Sequence, residues 1–145
     1  MNILVAVDLS PASAMVVEAA RGIAELTGVS VYIIHAVETE PDFILPEGDP
    51  EFAQEMIARL FPIEHGRTQA LADKMMDDGL YASAILVCGP AVKSTLKQAE
   101  NLDAGLIVVG SHGHGAVYDV LIGSYSVAMI RESKLPVLVV PVRGD

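Results

Sequence analysis

Apolar residues gather in five short runs along the chain, Ile3–Val7, Val31–Val37, Ala84–Cys88, Leu106–Val109 and Pro136–Val140, each rich in Val, Ile and Leu. Runs of this length without polar alternation predict strands buried on both faces, as in a parallel sheet. Between the first two runs the period changes. Val16, Ala19, Ala20, Ile23 and Leu26 recur at spacings of three and four, which is one stripe of a helix. Ser10 can cap its first amides, Pro11 tolerates a first helical position, and Gly28 offers a left-handed exit. Further helices are expected over Phe52–Leu60, Glu64–Asp78, Ala91–Asn101 and Ser124–Glu132, with Pro62 and Gly66 expected to kink or break the second of these.

This alternation implies one α/β domain over residues 1–145, a parallel sheet with helices on both faces and right-handed crossovers. Ligands of such sheets bind beyond the carboxyl ends of the strands, so chemistry is to be sought in loops. Thr39–Pro50, with three prolines and four acidic residues, reads as a surface connector or a lid.

Composition narrows the partners. A chain of 145 residues that is 52% hydrophobic can bury one core. Nine Lys and Arg against 19 Asp and Glu give a net charge of -10, which repels nucleic acid and anionic membranes. Cys88 is the single cysteine, so no internal disulfide forms and a reducing cytoplasm is expected. Met1–Asp8 has neither a basic lead nor a small-residue cleavage site, and no run of apolar residues is long enough to span a bilayer. A soluble, cytoplasmic protein is the expectation.

The richest segment is Val108–Ser126. Gly110 and Gly113 let the backbone approach a ligand and point amides inward, while Gly123 and Ser124 open a helix whose first amides favour an anion. The hydroxyls of Ser124 and Ser126 add two donors for phosphate oxygens. Taken alone, the same glycines could simply make turns, and Ser124 simply cap a helix. Neither the dinucleotide pattern G-x-G-x-x-G nor the phosphate loop G-x-x-x-x-G-K-[ST] is present.

The start I-L-V-A-V-D-L-S, the second strand V-Y-I-I-H-A-V, the close K-L-P-V-L-V-V-P-V, and above all G-S-H-G followed after nine residues by G-S resemble the ATP-binding branch of the universal stress protein family. The resemblance covers essentially the whole chain. It implies an open five-stranded sheet of order 3-2-1-4-5, Rossmann-like and similar to the adenine nucleotide alpha hydrolase fold, with a pocket between strands one and four. By the same analogy Ala6, Val7 and Asp8 meet the adenosine, Asp8 through its carboxylate, and Ala36 offers backbone groups to the adenine edge. Val109 and Gly110 would line base and ribose, Gly113 the phosphates, and Gly123, Ser124, Tyr125 and Ser126 the phosphate tail. ATP, or ADP or AMP, is the implied ligand, with Mg²⁺ held through phosphates and no side-chain metal site. A homodimer paired along Pro136–Val142 is the implied assembly.

Tyr125 is bulkier than the small aliphatic residue often found there, and no Lys or Arg lies between Gly110 and Tyr125, where Asp119 adds negative charge. His112 and His114 lack an adjacent acidic or thiol ligand, so phosphate-adjacent or solvated imidazoles are expected. His35 and Cys88 read as core residues, and Met56, Met75 and Met76 as helix-packing residues. The functional expectation is a regulatory ATP-binding protein with an unidentified protein partner. The alternatives are a slow ATPase or other nucleotide-using enzyme, and a nucleotide-free dimerisation module. His112-Gly113-His114 lacks the H-x-G-H spacing a nucleotidyl transferase would use.

Overall fold

In a computed structural model of the protein, which describes residues 1–39, 49–112 and 122–142, strand β1 (Asn2–Ala6) lies at the centre of the sheet. Among the described residues ten elements follow one another: β1, α1 (Ser13–Thr27), β2 (Val31–Val37), α2 (Pro50–Leu60), α3 (Pro62–Asp77), β3 (Ala82–Cys88), α4 (Ala91–Asn101), β4 (Ala104–Gly110), α5 (Ser124–Glu132) and β5 (Val137–Val140). The five strands form one parallel sheet in the order β3-β2-β1-β4-β5. Successive strands are added to one side of β1 and then, from β4, to the other, so the β1–β4 boundary is the switch point at which doubly wound sheets open a crevice.

Successive side chains of the first strand face opposite layers, which explains its unbroken apolar run. Ile3, Val5 and Val7 pack against Val16, Val17, Ala20 and Ala24 of α1 and Ala72 and Met75 of α3. Leu4 and Ala6 pack on the other face with Ala99 of α4 and Met129 of α5. A smaller cluster of Val37, Leu86 and Ile57 seats α2 over β2 and β3. β3 is an edge strand, and the Gln54 side chain reads its backbone as a neighbouring strand would: its amide donates to the Leu86 oxygen at 2.8 Å and its oxygen accepts from the Leu86 nitrogen at 3.2 Å.

The structure corrects several local expectations. Helix α1 starts at Ser13 rather than at Pro11, and its N-cap is Ala12 without a side-chain bond. Ser10 instead accepts through its backbone oxygen from Ser13 N at 3.0 Å, because Ser10–Ala12 form a separate turn. Gly28 does close the helix, at φ 74°. Pro62 occupies the first turn of α3, where its missing N–H costs nothing, and Gly66 continues the helix without a break. Glycine in a helix interior costs only about 1 kcal/mol, less than the packing of Thr68, Ala72 and Met75 supplies. Met75 is buried as expected, whereas Met76 is 43% exposed. Residues 40–48 of the expected connector or lid lie outside the described residues. Among the described residues no helix is long and apolar enough to cross a membrane.

Candidate functional site

A cleft of about 890 Å³ opens over the carboxyl ends of β1, β2 and β4. Its floor is Ala6, Val7, Ile34 and Ala36; one wall is Asp8, Ser10, Ala12, Ser13 and Val16, and the other is Ala91, Thr95, Gly110, His112 and the start of α5 from Ile122 to Ser126. Of the residues singled out in the sequence, Ala6, Val7, Asp8, Ala36, Gly110, Gly123, Ser124, Tyr125 and Ser126 therefore meet around one space. Gly113, His114 and Asp119 lie outside the described residues.

Asp8 sits in a turn that reverses sharply out of β1. Its Oδ1 accepts from Ser10 N at 2.9 Å and from Ser13 Oγ at 3.4 Å, a bond pattern in which an Asp side chain organises the backbone two residues on. The turn requires Leu9 to adopt φ 62°, a left-handed conformation that costs a side-chain-bearing residue about 1–2 kcal/mol. Leu9 is 5% exposed and packs in the α1 core cluster, and burial of a leucine side chain, at about 1.5–3 kcal/mol, is enough to offset that cost. From α3, Arg67 Nη2 donates to the Leu9 carbonyl oxygen.

The opposite wall is assembled around Ser111. Its backbone N donates to Val140 O at 2.9 Å, its backbone oxygen accepts from Gly123 N at 2.6 Å, and its hydroxyl accepts from Val142 N at 2.8 Å. One residue thus fixes the end of β5 and the N-cap of α5. Gly110 is tightly enclosed: a Cβ there would stand 3.0 Å from Val16 Cγ2 and 3.2 Å from Val142 Cγ2, so both side chains would have to give by a few tenths of an ångström. Gly123, the N-cap of α5, would place a Cβ 3.2 Å from Ser111 O.

Two expected site residues behave differently from the expectation. Val109 is 0% exposed, packed into the α4 and α5 layer, and does not line the cleft, since alternation along β4 turns its side chain into the core. Ser126 reaches the cleft wall, but its hydroxyl donates to the Gly110 carbonyl oxygen, and a hydroxyl has a single proton to give. That bond holds the first turn of α5 to the end of β4. Ser124 is exposed, stands first in α5 and makes no capping bond.

Tyr125 packs its ring on the α4 and α5 core cluster, with its hydroxyl 3.3 Å from Thr95 Oγ1. Burial pushes its phenol above the ordinary range; the Thr95 hydroxyl works against that and the Asp8 charge with it. His35 is half-buried on the cleft wall rather than in the core, and its Nδ1–H donates to the Val7 carbonyl at 2.9 Å. Burial raises the Cys88 thiol, which suits a packing residue better than a nucleophile. His112 also lines the cleft, its Nδ1 2.9 Å from Ser111 Oγ.

Glu38 and Glu64 add two carboxylates to that of Asp8, and no Lys or Arg lines the cleft among the described residues. Neither Glu64 nor Thr95 carries a sequence signal, because each enters the cleft only through the packing of its helix. Among the described residues no three His, Cys, Asp or Glu side chains are grouped to hold a metal ion.

The Universal stress protein family model matches residues 1–141. The universal stress protein in the QAH/OAS sulfhydrylase 3'region of Thermus aquaticus is 32% identical over 139 residues, covering 96% of this chain and 97% of its own length. Protein MJ0577 of Methanocaldococcus jannaschii has a similar solved structure, with TM-score 0.80 at 24% identity and coverage of 99% of this chain and 97% of its own. The universal stress protein of Archaeoglobus fulgidus solved in complex with dAMP gives TM-score 0.67 at 22% identity, with 97% of each chain covered. A family model spanning nearly the whole chain and a relative more than 30% identical along its length lead to one assignment: the chain belongs to the universal stress protein family.

Proposed function

We propose that this protein binds an adenine nucleotide in the cleft above β1 and β4 and acts as a regulatory, stress-response binding protein. The observation that carries the reading is the convergence of Asp8 from one wall and the Gly110 and Gly123–Ser124 backbone from the other on a single crevice at the switch point. The cleft volume, about 890 Å³, falls in the range of small-molecule and cofactor sites. A carboxylate suits ribose hydroxyls or an adenine amino group, and the start of α5 suits phosphate oxygens. The complex of the Archaeoglobus fulgidus relative with dAMP supports adenine as the base.

With Asp8, Glu38 and Glu64 around the cleft, phosphate charge is balanced by backbone amides, the helix dipole and Mg²⁺ shared between phosphate oxygens. Gly113 takes the phosphate role that the family pattern implies for it. The protein is proposed to work in the cytoplasm as a homodimer paired along Pro136–Val142. β5 is an edge strand with Leu138 38% exposed, and pairing two copies there would close that edge. Freshly purified protein tests the reading: mass spectrometry of the released small molecules is expected to find AMP, ADP or ATP. Protein that carries none and whose melting does not respond to millimolar adenine nucleotide would overturn it.

A further inference from the structure

Arg67 touches the site from outside it. Its guanidinium donates to the Leu9 carbonyl oxygen across 58 residues of sequence, yet it is not part of the cleft wall, whereas Asp8 and Ser10 on either side of Leu9 are. It extends from α3 one turn beyond Glu64, which does line the cleft, and on the same helix Thr68 is fully buried, its hydroxyl donating to the Glu64 carbonyl at 2.8 Å.

We infer that Arg67 is a positioning residue for Asp8: by holding the carbonyl of left-handed Leu9, it keeps the Asp8 carboxylate bonded to Ser10 N and aimed into the cleft. The function of that carboxylate rests on the nucleotide reading above. The physical route is short. A residue at φ 62° turns the following peptide so that Ser10 N–H faces back to Asp8 Oδ1, and the carbonyl of that same peptide is the group Arg67 holds. Without the donor, the packing of Leu9 is left to resist relaxation to a negative φ, which any side-chain-bearing residue prefers. In the relaxed turn the Ser10 amide swings away, and Asp8 loses the shorter of the two bonds described above. A cationic donor on a carbonyl is the stronger kind of hydrogen bond, which suits it to restraining a strained turn.

Arg67→Met removes the donor and keeps the aliphatic stem. Two measurements on the intact protein test the inference. Exchange of the Ser10 amide, followed by NMR, is expected to quicken about tenfold or more, with core amides of β1 unchanged. Affinities for adenosine, AMP and ATP are expected to fall together, by about 5- to 20-fold each. In an Asp8→Ala background the same substitution is expected to add no further loss, since its effect passes through Asp8. A Ser10 amide that exchanges as in the wild type overturns the inference, as does additive loss in the double variant. A loss that grows from adenosine to ATP also overturns it, because Arg67 would then act on ligand charge directly. If the wild type binds none of the three probes, the nucleotide reading fails, and the Ser10 exchange alone decides whether Arg67 holds the turn.

Discussion

The Ser126 hydroxyl donates to the carbonyl oxygen of Gly110, tying the first turn of α5 to the last residue of β4. Ser126 is 2% exposed, so Ser126→Ala leaves that carbonyl short of a donor in a place with little water. The expected cost is about 1–2 kcal/mol of stability, read by thermal or urea melting, with AMP and ATP affinities falling to the same degree. Ser124→Ala should differ in both respects. Ser124 is exposed and caps nothing, so melting stays within about 0.5 kcal/mol, while ATP affinity falls about tenfold and AMP affinity holds. Equal behaviour of the two variants would contradict this division of roles.

Gly110 tests the close approach of three elements. A methyl group there meets Val16 of α1, Val142 beyond β5 and the His112 carbonyl, all between 3.0 and 3.3 Å away. Gly110→Ala is expected to lose about 1–3 kcal/mol through overpacking. Unchanged melting would mean that the two valines yield without cost.

Gly66 presents the opposite case, a glycine in the interior of α3 with nothing within 4 Å of a Cβ. Gly66→Ala should raise stability by about 0.5–1 kcal/mol, chiefly by reducing the freedom of the unfolded chain. Destabilisation in urea melts would show that the helix is strained at this point.

Tyr125 gives a pH signature. Burial holds its phenol above the ordinary value of about 10, so the folded protein keeps the proton more tightly than the unfolded chain. Its contribution is complete below about pH 10 and is lost as pH rises through the folded-state value. Tyr125→Phe is therefore expected to lessen the fall in stability on the alkaline side and to remove a phenol that ionises above the ordinary value in the ultraviolet titration. A Tyr125 phenol that ionises at the ordinary value of about 10 would contradict the buried placement.

Local pattern carried much of the fold. Five apolar runs became the five strands, and Gly28 closed α1 as a left-handed glycine. The strand order came only from family resemblance, because no periodicity says which strands are neighbours. In the site, glycine spacing pointed to Gly110 and Gly113 as places of close approach to a ligand and to Gly123 as the opening of a helix; Gly123 is the N-cap of α5, and Gly110 stands close to Val16 and Val142. Spacing reveals the Ser126 hydroxyl but not the Gly110 carbonyl to which it donates. Thr95 meets Tyr125 across 30 residues and Arg67 meets Leu9 across 58, pairings that exist only once the helices have docked.

Titration calorimetry of the wild-type protein with ATP, AMP and GTP in the presence of Mg²⁺, repeated on Asp8→Ala, tests the central claim most directly. The account predicts measurable binding of the adenine nucleotides, weaker binding of GTP, and a loss of about tenfold or more for both ATP and AMP in Asp8→Ala, since that carboxylate is assigned to the adenosine rather than to the phosphates. Absence of heat with ATP and AMP at millimolar concentration, or unchanged affinities in Asp8→Ala, would contradict it.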